Sequence, residues 1–212
     1  MNSTVLIALP KGRLYDKAAE LLGRAGITIN GSNESSRKLM FRDSSDRYGF
    51  VQLKPVDIPI YVESGSIDAG IVGSDVIREL ESDVYEPVDL AIGRCRMVVA
   101  APVRSDLSHI QSLRVATKYP RTTERHFTRQ RRHVHIVKLD GSVEIAPQLG
   151  LSDAIVDLVE TGKTLQENGM SIVEEVALIS AKLIVNRTAM KRKAADLQQL
   201  ITKLDTVVYE NP

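Results

Sequence analysis

The sequence predicts an α/β fold of two lobes, with a mostly parallel sheet in each lobe and a cleft between them. Short apolar runs of strand length alternate along the chain with stretches whose apolar residues recur at helical spacing. Residues 66–75 and residues 152–162 also resemble each other, since each contains Asp-Ala, an apolar strand, a glycine and a helix start. This resemblance favours two lobes of similar design, although any strand-to-helix turn can give the same pattern.

The individual elements follow from the order of these patterns along the chain. The apolar run Val5–Leu9 predicts a first strand, and Leu14, Ala18 and Leu22 then predict a helix that stops at Gly26. The later strands are predicted at Phe50–Leu53, Ala69–Val72, Val84–Ile92, Met97–Ala101, Leu113–Ala116, Val134–Val137, Ala154–Val159, Ile172–Val176 and Leu183–Val185. The later helices are predicted at residues 57–64, 74–81, 121–131, 164–168 and 189–204.

The lobe boundaries are predicted at two crossings of the chain. Lobe I is expected to comprise residues 1–93 and 181–212, and lobe II to comprise residues 94–180. A chain of 212 residues is long enough for two small domains of this kind. No low-complexity linker marks either crossing.

Composition argues against several classes of protein. The 28 basic and 27 acidic residues nearly balance, whereas a general nucleic-acid binder usually has a larger basic excess. The single cysteine, Cys95, excludes an intramolecular disulfide and fits a reducing cytoplasm. No apolar run approaches the roughly 18 residues of a membrane span, and the N-terminal run is too short for a signal peptide. A cytoplasmic protein without a membrane partner is therefore expected.

The tripeptide Gly162-Lys-Thr164 ends in the way a P-loop ends, but the rest of that motif is absent. A P-loop needs a second glycine five residues earlier, and this position is Asp157, whose charge would repel a polyphosphate. The loop at 161–164 still follows a strand and opens a short helix, so its N–H groups can bind a phosphate. Because the loop is small, a single terminal phosphate suits it better than a triphosphate.

Asp157 adds a second kind of recognition beside this loop. A carboxylate accepts hydrogen bonds from sugar hydroxyls, and a diol acceptor next to a one-phosphate loop describes a ribose 5-phosphate site. The alternative interpretation is a threonine that caps the helix and a lysine that faces solvent.

Basic residues follow the first strand and also precede a later one. Lys11 and Arg13 flank Gly12 after the first strand, and Arg37 and Lys38 lie ahead of another strand. Loops at strand ends are where α/β sheets place ligands, and arginine binds phosphate in a bidentate mode. These residues predict a polyphosphate site, whereas the alternative is ordinary solvated surface charge.

Residues 121–138 concentrate five arginines, Lys138 and three of the four histidines. A nucleic-acid patch is one interpretation, but a solvated helix face or a surface for an acidic partner subunit fits the near-neutral chain better. His133 and His135 have no nearby Cys or Asp set, so we predict no metal site there. Cys95 lies between two arginines, which could lower its pKa, but a buried structural thiol is favoured.

Several motifs together resemble the ATP phosphoribosyltransferase family, whose members catalyse the first step of histidine biosynthesis. The longest match is the signature Glu144-x5-Gly150-x-Ser152-x2-Ile155-x-Asp157-Leu158-x2-Thr161-Gly162-x-Thr164-Leu165. The other matches, in the family's order, are Leu9-Pro-Lys-Gly-Arg13, Ser36-Arg-Lys-Leu39, Asp57-Ile-Pro-Ile-Tyr-Val-Glu63, Asp68-Ala-Gly-Ile-Val-Gly-Ser-Asp75 and Arg94-Cys-Arg96. The chain departs from the family at Pro10, where a serine is common.

This resemblance implies a fold like that of type II periplasmic binding proteins and a short-form subtype. The chain stops soon after the predicted last helix, so it is expected to lack the C-terminal regulatory domain of long-form members. Short forms work with a regulatory subunit that resembles histidyl-tRNA synthetase, in a hetero-octamer, and a homodimer of this chain is expected within it. The histidine feedback site would then not lie in this chain alone.

The resemblance also implies a reaction and roles for the site residues. ATP and phosphoribosyl pyrophosphate (PRPP) would give N1-(5-phosphoribosyl)-ATP and pyrophosphate, with Mg²⁺ carried on the pyrophosphate and few protein ligands to it. The catalytic residues expected at the pyrophosphate and ATP phosphates are Lys11, Arg13 and Arg37, with Asp68 and Asp75 also assigned to ATP. The PRPP ligands expected are Asp153, Asp157, Thr161, Gly162, Lys163 and Thr164.

Two rival functions remain open from the sequence. A two-lobed solute-binding module without chemistry would have the same fold. A regulatory or nucleic-acid-binding protein would use the basic segment at 121–138. Neither rival accounts for the whole signature at 144–165.

Overall fold

A computed structural model describes residues 4–30 and 39–210 of the chain. The chain forms two compact units: unit 1 comprises Met1–Gly93 and Ser180–Pro212, and unit 2 comprises Arg94–Ile179. Each unit contains one β-sheet with apolar clusters on both of its faces. The α/β architecture with one sheet per unit is therefore the one that the sequence predicts.

Twelve strands and seven helices make up the described part of the chain. The strands are β1 (Val5–Pro10), β2 (Ile29–Asn30), β3 (Met40–Asp43), β4 (Tyr48–Leu53), β5 (Ala69–Gly73), β6 (Tyr85–Asp89), β7 (Cys95–Pro102), β8 (Leu113–Thr117), β9 (Val134–Lys138), β10 (Ala154–Val159), β11 (Met170–Ile179) and β12 (Ala181–Val185). The helices are α1 (Arg13–Arg24), α2 (Ile58–Glu63), α3 (Ser74–Leu80), α4 (Pro120–Arg129), α5 (Lys163–Glu167), α6 (Arg187–Arg192) and α7 (Ala194–Tyr209). Short 3-10 turns form at Pro55–Asp57 and Val143–Ile145.

The two sheets are mixed rather than mostly parallel, which corrects the sequence-based expectation. The sheet of unit 1 has the order β2-β3-β4-β1-β5-β12-β6, in which β1 runs parallel to β4 and β5 while β12 runs antiparallel to β5 and β6. The sheet of unit 2 has the order β11-β7-β10-β8-β9, in which β8 runs parallel to β9 and β10 while β7 runs antiparallel to β10 and β11. Strands β3 and β4 pair antiparallel because the turn that joins them is too short for a crossover.

Each sheet is covered on both faces because its strands alternate between two apolar cores. Along β1, Val5, Ile7 and Leu9 pack with α1 and α7, whereas Ala8 packs with α2 and α3. In unit 2, β10 contributes Ala154 to the core that includes Phe127 of α4. The next residue of β10 packs in the opposite core, which includes Leu165 of α5. None of the helices in the described ranges is long and apolar enough to cross a bilayer.

Two strands were missed and one predicted helix differs from the structure. Strands β2 and β3 were not predicted, because β2 has two residues and β3 alternates exposed and buried positions without an apolar run. The helix predicted at 189–204 is two helices, α6 and α7, which meet at Lys193. The backbone of Lys193 leaves the helical region with φ −120° and ψ 35°, and this bend lets its side chain turn inward.

Lys193 is tied to the start of the central strands by a nearly buried ion pair. Its ammonium nitrogen lies 2.7 Å from a carboxylate oxygen of Asp68 and 2.8 Å from the carbonyl oxygen of Thr4. The same carboxylate oxygen accepts the backbone N–H of Leu6 at 2.8 Å, and the N–H of Asp68 donates to the carbonyl of Leu6. The side chains of Lys193 and Asp68 are only 13% and 6% exposed. One carboxylate thus joins β1, β5 and the junction between α6 and α7.

We predict that Lys193→Met destabilises the protein by about 3–5 kcal/mol, because it leaves the Asp68 carboxylate buried without its cation. Equilibrium unfolding in urea measures this loss. The matched control is Lys191→Met, since Lys191 is exposed on the same helix pair and should stay within about 0.5 kcal/mol of wild type. Equal stability of the two variants would contradict a structural role for this ion pair.

Candidate functional site

The carboxyl ends of the parallel strands in unit 2 lie at one edge of its sheet. Because β8, β9 and β10 run in the same direction, the residues that follow them emerge together. Helix α4 begins at Pro120 after β8, and helix α5 begins at Lys163 after β10. Ligands of α/β proteins bind at such edges, so the loop at 161–164 occupies the expected place for a ligand site.

The loop at 161–164 is a short turn between β10 and α5. Gly162 precedes α5 with φ 81°, in the left-handed region that glycine adopts without strain. The hydroxyl of Thr161 accepts the N–H of Lys163 at 3.4 Å, and Thr161, Lys163 and Thr164 are exposed. The first N–H groups of a helix have no intrahelical acceptor, so Thr164 presents its N–H outward from this turn. The Lys163 ammonium is 3.8 Å from Glu167 in an exposed pair, which leaves it able to turn toward a ligand.

Asp157 is a carboxylate on a face of β10 that is otherwise apolar. Side chains alternate along a strand, so Asp157 shares its face with Ile155 and Val159, which both belong to the core that includes Leu165. Burial raises the pKa of Asp157 above its usual value, and the charge of Glu144 adds to this rise. The N–H of Leu158 and the ammonium of Lys118 act in the opposite direction. An ionised Asp157 is therefore a costly group that the fold keeps near the carboxyl end of β10.

Asp153 lies at the opposite, amino end of β10 and is engaged within the protein. The guanidinium of Arg114 donates to both of its carboxylate oxygens, at 2.7 Å and 3.2 Å, and the N–H of Arg114 donates at 2.9 Å. The N–H of Asp153 returns a bond to the carbonyl of Arg114. Hydrogen bonds from Arg114 hold the pKa of Asp153 below its usual value. This carboxylate repeats the arrangement of Asp68 in unit 1, and it does not join Asp157 and the 161–164 loop.

In unit 1, Lys11 and Arg13 lie at the carboxyl edge of the sheet. Lys11 directly follows β1, and its N–H donates to the carbonyl of Leu53 at the end of β4. Gly12 between them has φ 85° and precedes α1, which begins at Arg13. Both basic side chains are exposed, so their charges face solvent near the N-terminus of a helix, where anions are favoured.

The two aspartates assigned to ATP lie at different edges of the unit 1 sheet. Asp75 is in the first turn of α3, directly after β5, and so lies at the same edge as Lys11. Asp68 precedes β5 at the opposite edge and contacts Lys193. Arg37 and Lys38 lie outside the described residues.

Sequence reasoning missed Lys118 and Lys54, which directly follow β8 and β4 and are exposed at these edges. The signal that could have found them is the one that identified Lys11, a basic residue immediately after an apolar strand. Lysines are common at exposed positions, however, so the strand register was needed to single them out.

Part of the basic segment at 121–138 has a structural role. His126 of α4 contacts the carboxylate of Glu174 on β11, and Gln130 donates to the same oxygen at 2.9 Å. Burial tends to raise the pKa of Glu174, but these hydrogen bonds lower it overall. Cys95, which the sequence predicted to be a buried thiol, is only half-buried where it packs against the core that includes Met97. Across the described ranges, no group of three or more His, Cys, Asp or Glu side chains is placed to hold a metal ion.

Comparisons with solved structures confirm the expected fold. The chain is similar to the ATP phosphoribosyltransferase (HisG:HisZ) complex from Thermotoga maritima, with a TM-score of 0.86 and 32% identity over 98% of this chain and 100% of that chain. It also resembles the alkanesulfonate-binding protein SsuA from Xanthomonas axonopodis pv. citri, with a TM-score of 0.56 and 14% identity over 96% of this chain and 72% of that one. The second likeness shows the fold alone.

Sequence comparisons identify the family. The family model for ATP phosphoribosyltransferase matches residues 54–206. An ATP phosphoribosyltransferase of Thermoanaerobacter sp. (strain X514) is 47% identical over 204 residues, which are 96% of both chains. ATP phosphoribosyltransferase 2 of Geobacter sulfurreducens is 44% identical over 97% of this chain and 99% of its own. These matches show that the chain belongs to the ATP phosphoribosyltransferase family.

Proposed function

We propose that this chain transfers the 5-phosphoribosyl group of PRPP to N1 of ATP and releases pyrophosphate, as the first step of histidine biosynthesis. The observation that carries the proposal is the half-buried carboxylate of Asp157 two residues before the end of β10, followed by the exposed one-phosphate turn at 161–164. An acceptor for a diol beside donors for one phosphate matches the ribose 5-phosphate part of PRPP.

In this proposal the 161–164 turn binds the 5-phosphate and Asp157 binds the ribose hydroxyls. The N–H groups of the turn, the threonine hydroxyls and the Lys163 ammonium supply donors to the phosphate. Asp153 was also expected to bind the ribose, but Arg114 occupies both of its carboxylate oxygens at the other end of the strand. The proposal therefore assigns the ribose to Asp157 and gives Asp153 a supporting role in the strand.

Lys11 and Arg13, together with Arg37, are proposed to bind the pyrophosphate and the phosphates of ATP. The positive end of α1 and the two exposed cations favour an anion beside them. Asp75, at the same edge of the unit 1 sheet, is proposed as an acceptor for a donor group of ATP. The engagement of Asp68 with Lys193 at the opposite edge argues against direct contact between Asp68 and ATP.

The chemistry needs positioning and charge stabilisation more than proton transfer. The lone pair of adenine N1 forms the new bond to the anomeric carbon, while the carbon–oxygen bond to pyrophosphate breaks and its electron pair leaves with the pyrophosphate. N1 carries no proton at neutral pH, so no general base is required at this step. Arg13 and Lys11 would stabilise the charge that develops on the leaving group.

Mg²⁺ is proposed as the metal of the reaction, and the exposed edge residues fit an ion that is bound chiefly by substrate. Mg²⁺ retains its waters and is held in many phosphate sites by substrate oxygens with one or two carboxylates. Its bound charge would neutralise the pyrophosphate. Lys11 and Arg13 would complement it by binding the remaining phosphate oxygens.

We also propose that the chain acts with a regulatory subunit that resembles histidyl-tRNA synthetase, in a hetero-octamer that contains homodimers of this chain. The similarity to a structure whose catalytic chain was solved as a HisG:HisZ complex supports a partner of this kind. Feedback by histidine would then depend on the partner, and the chain would work in the cytoplasm with the other biosynthetic enzymes.

We predict that pyrophosphate release requires both ATP and PRPP, measured with a coupled phosphate assay on the chain alone and with its regulatory subunit.

Arg13→Ala should lower kcat by at least about 100-fold, because it removes a preorganised donor from the leaving group.

The control for this variant is Lys17→Ala, an exposed cation one turn further along α1, which should keep wild-type turnover. Release that needs only one substrate, or no release in either preparation, would contradict the proposed reaction. Near-wild-type kcat in Arg13→Ala would remove Arg13 from the leaving-group site.

We predict that Asp157→Asn and Asp153→Asn change stability in opposite directions at pH 7.5. The raised pKa of Asp157 means that wild type loses stability as pH rises from about 4 through that pKa, so Asp157→Asn should raise Tm. The lowered pKa of Asp153 means that wild type gains stability above about pH 4 and loses it as pH falls through that pKa. Asp153→Asn should therefore lower Tm.

Thermal unfolding between pH 4 and pH 8 tests the directions of these Tm changes. Titration calorimetry with PRPP and with ATP tests the binding role. Asp157→Asn should weaken PRPP binding more than ATP binding even though the variant is more stable. A lower Tm for Asp157→Asn, or an equal weakening of PRPP binding and ATP binding, would show that Asp157 is a structural carboxylate.

A further inference from the structure

The register of unit 2 brings Lys118 beside Asp157. Strands β8 and β10 are parallel, with Ile155 opposite Ala116 and Val156 opposite Thr117. Lys118 is the first residue after β8 and Asp157 is the next residue of β10, so each follows the last of these paired positions. Paired residues of neighbouring strands lie on the same face of a sheet, and Ile155 and Ala116 indeed belong to one apolar core. The chain bends at Lys118, and its ammonium is near enough to act on the charge of Asp157.

Lys118 is the cation that acts on Asp157 from the neighbouring strand. On the other side, β7 places the apolar Val98 opposite Asp157, and Arg96 further along β7 is 3.8 Å from Glu175. The 3-10 turn at Val143–Ile145 contributes Glu144, whose charge opposes ionisation of Asp157. Helix α5 contributes Leu165 to the same core. Burial and the charge of Glu144 raise the pKa of Asp157, while the N–H of Leu158 and, to a smaller extent, Lys118 act in the opposite direction.

Bound PRPP would add another influence that raises the pKa of Asp157. Its phosphates carry several negative charges, and a negative charge close to a carboxylate favours the protonated form. A protonated Asp157 would lose its charge and part of its capacity to accept hydrogen bonds from the ribose hydroxyls.

We propose that Lys118 is a positioning residue for PRPP, whose ammonium keeps Asp157 ionised so that the carboxylate can accept both ribose hydroxyls. This inference rests on the proposed function of the site. Lys118 acts through Asp157 and is not assigned a contact with the reacting atoms. Its effect must therefore be largest at acidic pH, whereas a direct contact between Lys118 and a phosphate oxygen would matter most above the second phosphate pKa of about 6.

The first test measures the ionisation of Asp157 in the free protein, independently of activity. ¹³C NMR of aspartate carboxyl carbons, with Asp157→Asn to assign the resonance, should show a higher pKa in Lys118→Met than in wild type. Lys118→Arg should restore the wild-type value. Lys138→Met is the matched control, because Lys138 ends the adjacent strand β9 and is opposite Thr117, whose side chain points to the other face. An unchanged Asp157 titration in Lys118→Met would overturn the inference.

The second test measures KM for PRPP between pH 5.5 and pH 9 in the same variants. Lys118→Met should raise this KM about 10-fold at the acidic end and approach wild type at the alkaline end, with a smaller effect on kcat. A KM increase that is equal at every pH, or larger at the alkaline end, would overturn the inference in favour of a direct phosphate contact. Wild type lacking any PRPP-dependent turnover would instead refute the proposed function, while the NMR result would still decide whether Lys118 controls Asp157.

Discussion

An aspartate at the amino end of a central strand fixes the register in each sheet of this protein. Asp68 exchanges backbone bonds with Leu6, and its carboxylate also accepts the N–H of that residue and the ammonium of Lys193. Asp153 makes the corresponding contacts with the N–H and guanidinium of Arg114. Because these contacts align the starts of neighbouring parallel strands, they also align the ends, where the loops with ligand-binding chemistry emerge. The register that supports Lys118 and Asp157 as neighbours depends on this contact in unit 2.

The repeated pattern also shows where the two units differ. Counted from Asp68 and Asp153, the fourth residue along is Val72 in β5 and Asp157 in β10. Val72 is completely buried, as a strand in the middle of an α/β sheet requires. Asp157 replaces such an apolar residue by a carboxylate whose ionised form is disfavoured by burial. A local departure from good packing is expected at functional sites, and the residue that breaks the repeat is the one that we assign to substrate.

Much of the fold was predictable because the buried strands are apolar runs separated by turn residues. The turn at 161–164 was predictable too, since a strand, Thr-Gly-Lys-Thr and a short helix are contiguous in sequence. The residues that pair with Asp153 and Asp68 could not be predicted from local sequence. Arg114 is 39 residues from Asp153, and Lys193 is 125 residues from Asp68. The sequence alone could not single out Lys118 either, because its relation to Asp157 depends on the pairing of β8 with β10. The break at Lys193 was also missed, since apolar spacing continues across it while the inward-turning lysine ends the helix.

The central claim is that Asp157 and the 161–164 turn hold the ribose 5-phosphate part of PRPP. A crystal structure of the protein with bound PRPP tests it most directly. We expect the ribose hydroxyl oxygens within about 2.5–3.2 Å of the Asp157 carboxylate and the 5-phosphate on the N–H groups of the turn. A 5-phosphate bound elsewhere, with no hydroxyl at Asp157, would contradict the account.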